Sequence, residues 1–301
     1  MSAPFWLKLG VGGLCQVSPD RAAKLAHRFF RRPGLSRGYS SADLKRLDAA
    51  EEVLSRSRRR VTDIRGRTIT SYHFNASDAP RGTVLLLHGW SGDSRAMAAF
   101  PRGLVRAGYD VVAIDLPAHG RSDGVETDLI DAAEMAAEHL ARTAVLADHI
   151  IAHSFGGAVA TRLADLGAPP RSLISIAAPT NFALVLAEVS SAFGLSAEAA
   201  AIFASEVART TGADPAQLDA LTIWQGLPTR LLILHSPSDE RVSFRHAAHL
   251  VRAPNARLMA MEGLGHSEIV YAPETVLAAL RHIRSVDESR PGAANRLPEV
   301  A

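Results

Sequence analysis

The sequence has only one cysteine, Cys15, among its 301 residues. A single thiol cannot form an intramolecular disulfide or a cysteine-rich metal site. The sequence also lacks a cluster of metal-ligand residues and a glycine-rich phosphate loop. It therefore predicts a protein without a metal or another cofactor, and the low cysteine content fits the reducing cytosol.

Long hydrophobic stretches are equally scarce. No apolar run reaches the ~18–20 residues that span a bilayer. The apolar segment 5–17 contains Lys8 and has no basic region before it, so it does not look like a secretory signal. We expect a cytoplasmic protein, with a weak membrane-surface anchor as the alternative role of this segment.

The chain carries little net charge, only +2, so we expect no nucleic-acid partner. Residues 1–60 depart from this balance, with 13 Lys and Arg against 5 Asp and Glu. Basic clusters such as Arg31-Arg32 and Arg58-Arg59-Arg60 could touch acidic lipid or nucleic acid. A solvated pair of basic helices is the more common arrangement for such charges. Weak membrane-surface contact is therefore the second interpretation of this N-terminal helical extension.

Short apolar runs alternate with helix-like stretches from residue 83 onward. The apolar runs are 83–87, 111–114, 149–152, 173–176, 231–234 and 258–261. The helix-like stretches are 96–107, 129–147, 155–166, 244–251 and 275–283. Strands that are apolar at every position are buried on both faces, as in a parallel sheet covered by helices. The pattern predicts an α/β fold with a doubly wound, mostly parallel sheet, preceded by helices over 20–57 and strands over 61–65 and 68–74.

One interval, 179–226, contains no strand pattern, and its apolar residues recur at helical spacing. It predicts a helical cap inserted into a core that comprises 61–178 and 227–285. Ligands of open α/β sheets bind outside the carboxyl ends of the strands, so the cap is expected to act as a lid. Aromatic residues at helical spacing more often pack between helices, and lining of a substrate pocket is the other role open to Phe182, Phe193, Phe203 and Trp224. Residues 286–301 are predicted to form a flexible tail.

Residues 149–157, His-Ile-Ile-Ala-His-Ser-Phe-Gly-Gly, run from an apolar strand directly into Ser154. Small residues lie two positions before and after the serine, as in the G-x-S-x-G nucleophile elbow, with Ala152 in place of the first glycine. A serine at such a tight strand-to-helix turn needs small neighbours, and the helix N-terminus stabilises negative charge beside it. The motif predicts Ser154 as a nucleophile.

A serine that attacks a carbonyl group creates an oxyanion, which needs two fixed N–H donors. We expect one donor from the backbone of Phe155, the residue after the serine. The other is expected from Trp90, which follows His88-Gly89 at the end of an early strand. His88 itself suits a structural hydrogen bond better than catalysis, because the base is expected after the acid in chain order.

Two later strands end in side chains that complete such a site. Asp239 lies in the turn after one of them and can hold a histidine by accepting its Nδ1–H. Glu240 is the alternative acid, and capping of the next helix is the structural alternative for Asp239. His266 lies in a glycine-flanked loop and is expected to be the general base. Nucleophile, acid and histidine thus follow one another along the chain as Ser154, Asp239 and His266, which is the order found in one architecture of serine hydrolases.

Residues 83–285 resemble the α/β-hydrolases, and among them the bacterial members near the esterases and lysophospholipase-like proteins. The resemblance rests on these segments: His88-Gly89-Trp90, 115–122, 152–157, Asp239 and Gly265-His266. It implies the α/β-hydrolase fold with a helical lid, and a serine hydrolase that cleaves carboxylic esters through an acyl-enzyme intermediate. Haloalkane dehalogenases and epoxide hydrolases use an aspartate at the elbow, whereas this chain has a serine.

Several activities share the same three side chains. Thioesterases, amidases and cofactor-free haloperoxidases are the catalytic alternatives to an esterase. A hydrolase-fold protein that only binds a ligand is the non-catalytic alternative, although such a protein has no need to keep all three groups. The expected partner is a small-molecule ester, and the expected metal and cofactor content is none.

Overall fold

One eight-stranded sheet organises the protein, whose computed structural model describes residues 5–34, 41–76 and 78–289. The strands are β1 (Arg58–Ile64), β2 (Arg67–Phe74), β3 (Thr83–Leu87), β4 (Asp110–Ile114), β5 (His149–His153), β6 (Ser172–Ile176), β7 (Arg230–His235) and β8 (Ala256–Ala260). They lie in the order β1-β2-β4-β3-β5-β6-β7-β8. The pairs β1–β2 and β2–β4 are antiparallel, and every other pair is parallel. The predicted α/β fold with a mostly parallel sheet is confirmed.

Helices cover both faces of this sheet. They are α1 (Phe5–Val17), α2 (Pro19–Phe30), α3 (Ser41–Ser55), α4 (Pro101–Arg106), α5 (Leu129–Arg142), α6 (Phe155–Asp165), α7 (Phe182–Phe193), α8 (Ala197–Thr211), α9 (Ala220–Gln225), α10 (Arg245–Leu250) and α11 (Pro273–Glu288). Side chains fix where several of them begin. Asp128 accepts two backbone N–H groups in the first turn of α5, and Asn181 accepts one in α7. Such caps satisfy donors that a helix start leaves free.

Successive residues of a strand point to opposite faces of the sheet, which divides the core into two layers. In β3, Leu85 and Leu87 pack in the layer that contains α5 and α6. Val84 and Leu86 pack in the other layer, which contains α4 and α11. This two-sided burial explains the continuous apolar runs of the central strands. It does not extend to β8, which lies at the sheet edge and leaves Met259 41% exposed.

The first two helices pack on the helices of the predicted cap. Helices α7, α8 and α9 occupy the interval between β6 and β7, as the pattern over 179–226 predicts. Helix α2 lies along α8, and α1 contacts both α2 and α7. Ala22, Ala23 and Ala26 of α2 are buried in one cluster with Phe203 and Val207 of α8. Residues of the predicted N-terminal extension therefore belong to the same helical layer as the cap, because their small side chains let the helices approach closely.

The ends of the core also differ from the sequence prediction. Strand β1 begins at Arg58, inside the predicted extension, and α11 continues to Glu288. Asp287 is buried and accepts hydrogen bonds from the Tyr109 hydroxyl and the Arg171 guanidinium, each at 2.6 Å. These bonds hold the start of the predicted tail against the core, whereas residues 290–301 lie outside the described part of the chain. Across the described ranges, no helix has both the length and the apolar character needed to cross a bilayer.

Candidate active site

Ser154 stands at a sharp turn between β5, which ends at His153, and α6, which begins at Phe155. Its backbone has φ +50° and ψ −121°, a conformation that costs a non-glycine residue energy and is common at functional sites. The turn brings α6 against the end of β3. A Cβ atom added at Gly156 would lie 2.5 Å from the Leu87 carbonyl oxygen, so only glycine allows this approach.

The three predicted site residues meet at the carboxyl edge of the sheet. The Ser154 hydroxyl lies 3.0 Å from His266 Nε2, and His266 Nδ1 lies 2.7 Å from an Asp239 carboxylate oxygen. Because a carboxylate can only accept, the imidazole N–H sits on Nδ1 and leaves Nε2 free to accept from the serine. His266 lies 112 residues after Ser154 and 27 residues after Asp239 along the chain, and the fold brings the three side chains together. The arrangement can pass a proton from hydroxyl to imidazole.

The environment of Asp239 keeps its carboxylate ionised. Its side chain is fully shielded from solvent. Burial by itself would raise the pKa of Asp239, but the hydrogen bond from His266 and the backbone N–H groups of Val242 and Arg241 outweigh it and bring the pKa to about 2. A buried, ionised acceptor is what a protonated imidazole needs beside it. The neighbouring Glu240, the alternative acid in the sequence, is exposed.

His153, the residue before the serine, contacts the loop that carries His266. Its Nε2–H donates to the His266 carbonyl oxygen at 2.9 Å, and the two imidazole centroids lie 4.9 Å apart. Burial lowers the pKa of His153 to about 3, and the charge of protonated His266 acts in the same direction. His153 therefore stays neutral at physiological pH and braces the histidine loop. The sequence gives no signal for this contact, because its acceptor is a backbone carbonyl oxygen, which every residue carries.

Two histidines fix the loop that follows β3. His88 donates from Nδ1 to the Gly89 carbonyl at 2.8 Å and accepts the Leu116 N–H at 3.0 Å. His119 accepts the Ser91 N–H at 3.1 Å. These bonds place Trp90 beside the elbow, where its ring meets that of Phe155 edge-on with centroids 5.0 Å apart.

The same loop approaches the serine very closely. A Cβ atom on Gly89 would lie 2.9 Å from His153 Nδ1 and 3.0 Å from Ser154 Cβ, so glycine is required there. Among the described residues, neither the Trp90 nor the Phe155 backbone N–H has a hydrogen-bond acceptor. Two unused donors on residues that flank the serine are suited to receive a negatively charged oxygen.

A cavity of about 1040 Å³, counted with its open mouth, adjoins the serine. Ser154, Trp90 and Phe155 line it, whereas His266 is not among its lining residues. Most of the remaining wall is apolar and comes from α2, α5, α6, α7 and α9. Mostly apolar walls with a few polar groups are typical of small-molecule sites.

The four aromatic candidates for this pocket differ in where the structure places them. Phe182 lines the cavity. The expectation does not hold for Phe193, Phe203 and Trp224, which are buried away from it. Phe193 and Phe203 pack in the cluster that joins α7 and α8 to the N-terminal helices, and Trp224 donates its indole N–H to Thr161 at 3.0 Å. The helical spacing of these three residues therefore reflects packing between helices and not contact with a ligand.

The cavity also has walls that the sequence did not indicate, including Phe30 of α2 and Val185 of α7. Both lie at helical spacing within apolar faces. Such spacing shows that a side chain is buried but not which surface it contacts.

Within the described residues, no group of three or more His, Cys, Asp or Glu side chains could hold a metal ion.

Comparison with known proteins places this geometry in context. Residues 84–279 match the family model described as the alpha/beta hydrolase family. A 103-residue segment is 38% identical to the dihydrolipoyllysine-residue acetyltransferase component of the acetoin cleaving system of Cupriavidus necator, covering 33% of this chain. The match spans only 27% of that relative.

Two solved structures illustrate the similarity of fold. One is described as a predicted CIB-like hydrolase from Thermoplasma acidophilum, with a TM-score of 0.58 and 19% identity over 76% of this chain and 98% of the other. The second comes from work on carboxylesterases of Nitrososphaera gargenis, with a TM-score of 0.57 and 17% identity over 75% and 98%. At these identities the similarity concerns the fold.

Proposed function

Because this chain belongs to the alpha/beta hydrolase family, we propose that it is a serine hydrolase that cleaves carboxylic esters of small molecules. The observation that carries the proposal is the continuous hydrogen-bonded series from the Ser154 hydroxyl through His266 to Asp239, with distances of 3.0 and 2.7 Å. The positive φ of Ser154, the unused N–H groups beside it and the adjoining apolar cavity support the same conclusion.

In the proposed reaction, the Ser154 oxygen attacks the ester carbonyl carbon while His266 Nε2 takes the hydroxyl proton. The backbone N–H groups of Trp90 and Phe155 hold the oxyanion of the tetrahedral intermediate. His266 then gives its proton to the departing alkoxide, which leaves as an alcohol and gives the acyl-enzyme. A water molecule, deprotonated by His266, attacks the acyl carbon. The bond from that carbon to the Ser154 oxygen then breaks, His266 returns the proton to the serine, and the carboxylic acid leaves.

The test uses a fluorophosphonate probe and p-nitrophenyl esters on the purified full chain. We expect the probe to label the wild type and to leave Ser154→Ala unlabelled, and ester turnover to disappear in that variant. The matched control is Ser172→Ala, at the opposite edge of the sheet. Ser172 Oγ lies 2.7 Å from His149 Nδ1, but the pair is fully buried. Its loss should leave labelling intact, whereas labelling and turnover unchanged in Ser154→Ala would refute the proposal.

A second candidate function is acyl transfer to or from a thiol through the same serine. The similarity to an acetyltransferase component favours it, although the match spans about a quarter of that relative. An acyl-enzyme can be formed from a thioester as well as from an ester. Parallel assays with oxygen esters and thioesters of the same acyl group, the latter read by thiol release, distinguish the two activities by their kcat/KM.

A further inference from the structure

Helix α2 contributes a wall to the cavity beside Ser154. Phe30, its last residue, is one of the cavity-lining side chains. Its ring packs edge-on against Phe203 of α8, with centroids 5.5 Å apart and an angle of 82° between the rings. Phe203 is fully buried, so the Phe30 ring packs against a side chain that is itself held in the core. The size of the side chain at position 30 therefore limits the space in the cavity.

The chain just after Phe30 is tied to the loop that leads into α5. The Thr127 N–H donates to the Arg31 carbonyl oxygen at 3.0 Å. The guanidinium of Arg31 lies 3.5 Å from Glu126 and 3.7 Å from Asp128, and that of Arg32 lies 2.7 Å from Glu126. These contacts fix the end of α2 relative to the core. The basic pair at 31–32 therefore forms ion pairs within the protein.

The same segment also reaches the loop beside the serine. The Gly34 N–H donates to Ser91 Oγ at 3.2 Å, and Ser91 directly follows Trp90. Thr127 and Asp128, which hold the end of α2, themselves line the cavity. Phe30 is therefore positioned from two sides, by the buried face of α2 on α8 and by the contacts of residues 31–34. A side chain held in this way keeps a defined cavity shape.

The cavity is placed to hold the acyl part of a substrate. Its lining includes Ser154 and the two residues, Trp90 and Phe155, whose N–H groups are proposed to hold the oxyanion, but not His266. The leaving alcohol must lie at His266 Nε2 to receive a proton, so it departs on the other side of the serine. The mostly apolar walls match a hydrocarbon chain.

We propose that the N-terminal helix α2 is part of the acyl-binding site and that Phe30 determines the length of the acyl chain. This proposal rests on the proposed ester hydrolysis at Ser154. Removing the phenyl ring opens space for further methylene groups, and enlarging it takes space away. In an apolar pocket, a single methylene changes kcat/KM by about tenfold or more.

The first test measures kcat/KM of the full-length chain for p-nitrophenyl esters from acetate to dodecanoate. Phe30→Ala is expected to raise the preference for the longer over the shorter esters by about tenfold or more, and Phe30→Trp to shift it in the opposite direction. Phe30→Leu serves the same purpose if Phe30→Ala unfolds. The matched control is Phe29→Ala, since Phe29 packs among the same helices but does not line the cavity. Its chain-length profile should stay that of the wild type.

The second test measures binding without turnover. Linear carboxylates of increasing length are titrated calorimetrically into Ser154→Ala, with and without each Phe30 substitution. Affinity is expected to rise roughly fourfold per methylene up to a limit, and that limit should lie at longer chains in Phe30→Ala.

The two tests separate the two proposals. A length limit that moves with residue 30 in a chain that hydrolyses no ester supports the pocket and refutes the hydrolase. Active enzyme whose chain-length profile and binding limit are the same with Phe, Ala and Trp at position 30 refutes the role of Phe30. A shift of equal size in Phe29→Ala refutes it as well, because the change would then come from helix packing.

Discussion

Replacement of Asp239 by asparagine removes one charge from the candidate site and keeps the shape of the side chain. The carboxylate accepts the His266 Nδ1–H at 2.7 Å and the backbone N–H groups of Arg241 and Val242 at 2.8 and 3.0 Å. An asparagine can satisfy the two backbone donors only with its oxygen. Its NH₂ group then faces His266 Nδ1, which must become an acceptor.

The consequence is the wrong tautomer of the general base. With Nδ1 accepting, the imidazole proton moves to Nε2, which can no longer take the proton of Ser154. Loss of the correct tautomer and of the carboxylate that stabilises the imidazolium costs on the order of 10⁴ in kcat in serine enzymes of this type, or about 5 kcal/mol of transition-state free energy. Ser154→Ala should be worse, by about two further orders of magnitude, because the nucleophile itself is lost.

The assay is steady-state hydrolysis of a p-nitrophenyl ester by the purified variant, with circular dichroism to verify that it is folded. Glu240→Gln is the matched control, since Glu240 is exposed and adjacent in sequence. It should stay within about twofold of the wild type, as surface substitutions usually do. Full activity in Asp239→Asn together with a large loss in Glu240→Gln would contradict the assignment of the acid.

Two other predictions concern stability. The folded-state pKa of Asp239, about 2, lies below the reference value of 3.8. The ionised carboxylate therefore contributes about 2 kcal/mol above pH 5, which is lost as the pH falls toward 2. Urea unfolding at a series of pH values should show a shallower acid dependence in Asp239→Asn, and identical dependence would argue against this linkage. Gly156→Ala should lower stability by about 1–3 kcal/mol, because the new Cβ meets the Leu87 carbonyl oxygen at 2.5 Å. The control Gly103→Ala, where nothing lies within 4 Å in α4, should raise the Tm slightly, and a similar loss in both variants would contradict the steric explanation.

Strand positions could be read closely from the sequence because the buried strands are short and uniformly apolar. The predicted run 83–87 is the observed β3, and the run 173–176 misses only Ser172 of β6. Strand β8 is less well predicted, since the run 258–261 starts two residues late and overlaps a half-exposed edge. An edge strand has one neighbour and fewer apolar contacts, so its hydrophobic signal is weaker.

The three candidate side chains could also be identified from local patterns. Ser154 and Asp239 follow buried strands, His266 follows the half-exposed strand β8, and parallel strands end at the same edge of a sheet. The small residues at the elbow mark a steric requirement that the sequence must meet locally. The hydrogen bond from His153 to the His266 carbonyl oxygen could not be predicted in this way, because a backbone oxygen is the same in every residue.

The sequence by itself determined which segments form the parallel sheet and which side chains stand at its carboxyl edge, because burial periodicity and tight turns constrain neighbouring residues. Only the tertiary structure decided what covers that edge. The apolar faces of α2, α7 and α8 show that these helices are buried, but the fit of Ala22, Ala23 and Ala26 against α8 depends on residues about 180 positions away. An apolar helical face shows that the helix packs against another element, but it does not show which one. The contribution of Phe30 to the cavity wall could therefore be seen only in the tertiary structure.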